Sequence, residues 1–216
     1  MSETVIEIAA RSVLISGAAT LLASTWSLPA AIVLAERRTL PRIVLPVLES
    51  MVGMPTVLVG LLLYLTFSSS GPLGFLGLLY TPQAIIIGQS ILVTPLMISV
   101  SYRVLSAASR TYGELAETLG ATLWERRVLV FYQSAAGLVG AVVMSFSRAV
   151  GELGVALMVG GNISGYTRVM TTAIALEVSK GNYEIAVSLG LILLAISSSI
   201  SVIIRLLGIT RVENGT

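Results

Sequence analysis

The chain has 216 residues, of which 55% are apolar and only 11% charged, with a formal net charge of +2. A soluble domain carries roughly twice that charged fraction, and the mean hydropathy here is +0.93. Cysteine and histidine are both absent, which excludes a disulfide framework, a Cys/His metal site and a histidine base.

Taken in chain order, Glu3 and Glu7 precede the first apolar run, where a cleaved signal would place basic residues. Five apolar segments follow, over residues 12–35, 43–67, 82–102, 128–150 and 183–207. Each reaches the length of about 20 residues that a helical crossing needs. Each is expected to be a helix, because an isolated strand in lipid leaves backbone groups unpaired. The runs are too long and too uniformly apolar for barrel strands, which alternate. No solenoid repeat is present. The expectation is an all-α membrane protein of about five transmembrane helices, in one domain over residues 8–208.

The basic residues orient the bundle. Arg37, Arg38 and Arg42 lie between the first two segments, Arg103, Arg110, Arg126 and Arg127 between the third and fourth, and Arg205 and Arg211 at the end. With alternating crossings these share one side, and only Arg11, Arg168 and Lys180 fall on the other. The positive-inside rule makes the rich side cytoplasmic. The amino terminus is then outside and the carboxyl terminus inside, which requires an odd number of crossings. Elsewhere the charges are scattered, so no nucleic-acid patch is built. The triplets Asn162-Ile163-Ser164 and Asn214-Gly215-Thr216 match a glycosylation pattern and are read as chance.

Two connections are long enough to be functional. The external one, residues 160–182, is rich in Gly, Thr and Asn and holds a candidate short surface helix over Met170–Ser179. The cytoplasmic one, residues 106–127, mixes apolar and charged residues at helical spacing. Leu115, Leu119 and Thr122 share one helical face, and Gly120 breaks the helix or permits a close approach. Such an element suits docking in a partner's groove and equally suits rest on lipid headgroups.

Glu114-Leu115-Ala116, three residues, then Gly120 resembles the EAA loop of ABC importer permeases. The resemblance implies a type I permease fold in which this loop is the coupling helix seated on an ATP-hydrolysing subunit. Leu115 replaces the first Ala of that pattern, and Val130-Phe131-Tyr132-Gln133 stands where the family shows a proline-containing run. Gly71-Pro72-Leu73-Gly74 and Thr81-Pro82 look like the outer loop of the molybdate/tungstate branch. The run from Glu152 through Gly154, Gly160-Gly161-Asn162, Gly165-Tyr166-Thr167-Arg168 and Thr171-Thr172 to Glu177 and Lys180-Gly181 is similar to tungstate-type permeases in particular. What this implies is a homodimer of the chain with two cytoplasmic ATPase subunits and an extracytoplasmic substrate-binding protein. The docking face for that protein would include Asn162, Tyr166, Arg168, Thr171, Thr172, Glu177 and Lys180. No cofactor is implied for this chain, ATP and Mg being bound by the partner. No phosphate-cradling Gly-x-x-x-x-Gly-Lys-Ser/Thr loop occurs in it.

Transport needs a polar path. Ser12, Ser16, Thr20, Ser24 and Ser27 share one face of the first helix. They suit a path lining and, more commonly, close helix packing with hydroxyls bonded to backbone. The serine run 197–201 has the same two readings. Arg148 and Glu152, four apart, form an expected ion pair near the outer end of the fourth segment. The alternative is that Arg148 attracts an anion at an outer gate that includes Gly154. Glu49 is a second costly charge whose partner the sequence does not name. Gly53 with Pro55, and Gly88 with Pro95, interrupt the second and third segments. Tungstate is the expected cargo, with molybdate next. Sulfate or another small anion is the alternative within the class. A stand-alone secondary transporter has only Glu49 and Glu152 as intramembrane carboxylates, and no nucleophile, base or metal set points to an enzyme.

Overall fold

The structure, a computed structural model, describes residues 4–36 and 43–213. Arg37, Arg38, Arg42 and the triplet at Asn214 lie outside the described residues. Nine α-helices are described: α1 (Val5–Glu36), α2 (Val44–Val52), α3 (Thr56–Phe67), α4 (Pro82–Ala108), α5 (Glu114–Thr118), α6 (Leu123–Val150), α7 (Gly154–Gly160), α8 (Met170–Ser179) and α9 (Tyr183–Glu213). No strand occurs among the described residues.

α1, α4, α6 and α9 are each long and apolar enough to cross a bilayer. The second expected segment is not one straight helix: α2 and α3 meet at 89°. Pro55 lacks an N–H and disfavours helical backbone at Met54. The Gly53 N–H instead turns back to the Ser50 carbonyl (3.1 Å), and the Pro55 carbonyl opens α3 by accepting from Leu58 (3.0 Å). The pair still crosses. Glu49 of α2 pairs with Arg103 near the end of α4, whereas Leu63 of α3 faces Gly88 near its start. Those two points on α4 are about 22 Å apart at 1.5 Å per residue.

The helix directions follow from the contacts. Ala23 packs with Val93 and Ala31 with Leu105, so α1 and α4 run parallel. Gln89 bonds the Ala149 carbonyl (3.1 Å) and Val104 faces Gly137, so α6 is antiparallel to α4. Ser147 and Ser201 hydroxyls meet at 2.9 Å, with the start of α9 packed on α8 and the start of α1. With the bent pair taken as one span, five crossings result, and the start of α1 and the end of α9 lie at opposite faces of the bundle.

Glycine sets the closest approaches, since lipid supplies no water-driven force between helices and contact must come from packing. A Cβ on Gly88 would stand 2.4 Å from Val155 Cγ1, and one on Gly137 would stand 2.5 Å from Val104 Cγ1. The main core lies where α1, α3, α4 and α7 meet, around Ile15, Val59, Phe67, Ile85, Val155 and Val159. Pro82 occupies the first turn of α4 behind the cap Thr81, whose hydroxyl accepts from Ala84 (3.3 Å).

Candidate functional site

Three regions bear on function: a surface at the arginine-rich end, a buried ion pair at two chain breaks, and a cap over the opposite end.

At the arginine-rich end the third segment extends beyond its expected limit at residue 102. α4 continues to Ala108, passes through a π-helical turn over Ser109–Gly113 and becomes α5. α5 stops because Gly120 adopts φ +80°. The Ala121 N–H reaches the Ala116 carbonyl (3.0 Å) and the Gly120 N–H the Glu117 carbonyl (3.1 Å), a Schellman closure. Gly120 is therefore a helix terminator here, and a Cβ on it would meet nothing within 4 Å. Thr122 does not share a face with Leu115 and Leu119, because the helix has ended. It caps α6 instead, its hydroxyl accepting from Glu125 (3.3 Å) while the Glu125 carboxylate accepts from the Thr122 N–H (2.8 Å). Ala116 is buried against the bundle, whereas Glu114 is exposed and Leu115 and Leu119 are 54% and 79% exposed. Leu123 and Trp124, which sequence reasoning did not single out, extend the same exposed apolar surface.

Arg126 holds this element in place. Its Nη2 donates to Ser109 Oγ (2.9 Å) and its Nε lies 3.2 Å from Glu117 Oε1. Arg127 pairs with Glu36 at the end of α1 (2.8 Å), and Arg103 with Glu49. Each arginine thus ties the loop or α4 to a neighbouring helix.

Arg148 and Glu152 do pair, with Nη1 to Oε2 at 3.0 Å. Arg148 lies in the last turn of α6, as expected, but that helix end is not the rim of the bundle. α6 ends at Val150, level with Gln89, and α7 continues away from the arginine-rich end, past Gly88 to Ile85, after a break at residues 151–153. Glu152 is almost fully buried, and its other oxygen accepts from the Val155 N–H (3.2 Å). Gly154 packs against the second break, where its Cβ would fall 2.6 Å from Thr56 Oγ1 and 2.8 Å from the Val57 nitrogen. Gln89 was missed from sequence. A lone amide in an apolar helix was the available signal, and it is 1% exposed.

The far-end cap is held by its own polar groups. Thr171 Oγ1 donates to the Glu152 carbonyl (2.9 Å), and Thr172 Oγ1 accepts from the Val169 N–H (3.0 Å). Arg168 Nε donates to Asn162 Oδ1 (3.2 Å), and the Arg168 carbonyl accepts from Arg11 Nη1 (2.8 Å). Glu177 binds Lys180 Nζ and Asn182 Nδ2, both at 2.7 Å. The Lys180 ammonium first, and the Asn182 amide second, hold its carboxyl below the usual glutamate range. Of the residues expected to face a docking protein, Tyr166 and Lys180 are exposed, Asn162, Arg168, Thr171 and Glu177 half-buried, and Thr172 buried. Asn162 takes φ +53°, next to Gly161 at +70°.

Ser16 and Thr20 of α1 are buried and Ser24 half-buried. Thr20 Oγ1 donates to the Ser16 carbonyl (2.8 Å) and Ser24 Oγ to the Leu21 carbonyl (2.8 Å), so both hydroxyls are committed to their own helix. Ser12 is different: it donates to the Ile8 carbonyl (2.9 Å) and accepts from the Met170 N–H (2.7 Å), joining α1 to α8.

Comparison with known proteins fits this architecture. The chain is 41% identical over 194 residues to the tungstate uptake system permease protein TupB of Peptoclostridium acidaminophilum, covering 89% of this chain and 85% of that one. It is 37% identical over 197 residues to a probable anion ABC transporter permease protein of Haloferax volcanii, covering 88% and 85%. Similarity to the sulfate transport system permease protein CysT of Escherichia coli is 30% over 152 residues, covering 67% and 55%. Residues 27–208 match the family model described as binding-protein-dependent transport system inner membrane component. The chain belongs to that family, the multi-pass inner-membrane permease subunits of ABC importers, and has their all-helical type I fold.

Proposed function

We propose that this chain forms half of the channel of an ATP-driven importer for a tetrahedral oxyanion, tungstate first and molybdate next. Two copies form the channel, each a single permease domain over residues 8–208. Two ATPase subunits, which bind ATP and Mg, dock on α5, and a substrate-binding protein docks on the cap around 160–182. The amino terminus is outside and α5 cytoplasmic. ATP-driven approach of the two α5 elements rocks the bundles between inward-open and outward-open states.

The observation that carries this reading is α5 itself. A short helix presents Leu115 and Leu119 away from its own bundle, beside Leu123 and Trp124. It is closed by Gly120 and braced by Arg126, so an apolar face stands ready for a groove. The same end carries Arg103, Arg110, Arg126 and Arg127, as a cytoplasmic face does. The choice of cargo rests on greater likeness to a tungstate permease than to a sulfate permease.

The test is uptake by proteoliposomes holding the chain with its ATPase subunits, supplied with the binding protein and tungstate, molybdate or sulfate. ATP-dependent tungstate accumulation ahead of sulfate is expected. Preference for sulfate would reassign the cargo, and accumulation without any ATPase would make the chain a secondary transporter.

A further inference from the structure

Between α2, α4, α6 and α9 lies a cleft of about 840 Å³. Its walls include Val52, Leu96, Ser147, Arg148, Ser198 and Ser201. Leu96 is midway along α4, and Val52 immediately precedes the α2–α3 break, so the cleft sits at mid-depth in the bundle. A charged guanidinium there is costly against lipid, so this surface meets water or protein. Arg148 keeps 35% of its side chain exposed while its partner Glu152 keeps 2%. Among the described residues Arg148 bonds Glu152 through Nη1, which leaves donors on a group that has five. Glu152 has one oxygen on Arg148 and the other on the Val155 N–H, so it is fixed behind the arginine and does not enter the cleft. Opposite stands the serine run of the largely apolar α9: Ser147 Oγ donates to the Val143 carbonyl and Ser201 meets Ser147, each at 2.9 Å, so those two hydroxyls are committed within the protein, while Ser197 and Ser198 line the cleft beside them.

We infer that this cleft is a transit site for the tetrahedral oxyanion inside the membrane, with Arg148 as its cation and the hydroxyls of Ser197 and Ser198 as its neutral donors. The inference rests on the oxyanion-importer reading and adds a ligand site to it. The buried carboxylate engages Arg148 on one side only, so the guanidinium can turn its remaining donors to an anion while the pair tempers its attraction. A conducting site requires that balance. The two helix breaks meet beside it, as at midplane sites formed from discontinuous helices.

The chain has no cysteine, so Ser198→Cys gives one thiol on the cleft wall. In the assembled transporter we expect an anionic methanethiosulfonate to modify it faster than a cationic one of equal size. That preference should vanish in Arg148→Gln, and tungstate should slow the reaction. No modification, or a preference indifferent to Arg148, overturns the site. Uptake gives a second reading. Arg148→Gln should lose at least about tenfold, the worth of a charge-assisted hydrogen bond. Arg148→Lys should recover part of it. The double variant Arg148→Gln/Glu152→Gln restores a neutral hydrogen-bonded pair, so recovery of uptake in it would show a purely structural role and overturn the inference. Wild-type uptake tests the importer reading separately, because the thiol preference needs no transport.

Discussion

Arg126 Nε stands 3.2 Å from Glu117 Oε1 while the same guanidinium bonds Ser109. One side chain at the start of α6 thereby fixes both the π-helical turn and α5. Glu117 is half-exposed, so the pair is worth about 1 kcal/mol rather than several. Arg126→Ala should lower ATP-coupled uptake by about fivefold, the equivalent of that energy. Arg126→Lys should recover only part, since an ammonium cannot span two partners as a guanidinium fork does. The check is uptake per ATP hydrolysed. Unchanged coupling in Arg126→Ala would remove the bracing role.

Gly120 has φ +80° with open space around its Cα. A side chain there meets only backbone strain, about 1–2 kcal/mol for an L-residue in the left-handed region. Gly120→Ala should therefore loosen the end of α5 and reduce uptake, and Gly120→Asn should do so less. Hydrogen exchange at the amides of residues 118–121 would rise in the first variant, with the unfolding temperature of the bundle unchanged.

Gly60 and Gly154 behave oppositely. A Cβ on Gly60 would lie 2.9 Å from Met158 Cβ, and one on Gly154 2.8 Å from the Val57 backbone nitrogen. The second obstacle is backbone and cannot rotate away. Gly154→Val should cost about 1–3 kcal/mol or more through overpacking, and Gly60→Ala less. Thermal unfolding in detergent measures both, with the larger fall expected for Gly154→Val.

Glu177 provides a pH dependence. Its carboxyl is held below the ordinary glutamate value by Lys180 and then Asn182. A carboxyl with a lowered folded pKa stabilises the folded turn above the unfolded value of about 4.3 and loses that contribution as pH falls through the lower folded value. Glu177→Gln should speed hydrogen exchange in the α8–α9 turn at neutral pH. The difference from wild type should shrink as the pH drops below about 4.

Much of this protein was legible in its sequence because lipid leaves few choices. A run of about 20 apolar residues has to be a helix there, and α1, α4, α6 and α9 follow from that alone. Gly53 and Pro55 announced a break, since a missing N–H and a missing side chain are local facts. The pairing of Arg148 with Glu152 followed from helical spacing. What the sequence left open depended on contacts between distant segments. Glu49 found Arg103 only because α2 lies along the far half of α4. The 89° bend turned one expected rod into two short helices, yet α4 alongside shows that the chain still crosses. Gly120 could have been a close approach or a terminator, and a positive φ with nothing nearby decided it. The depth of Arg148 was the largest change. The segment limit placed it near the end of the fourth helix, and it does lie in the last turn of α6, but α7 continues beyond that end, so packing sets the charge within the bundle, facing a cleft whose largely apolar walls carry serines.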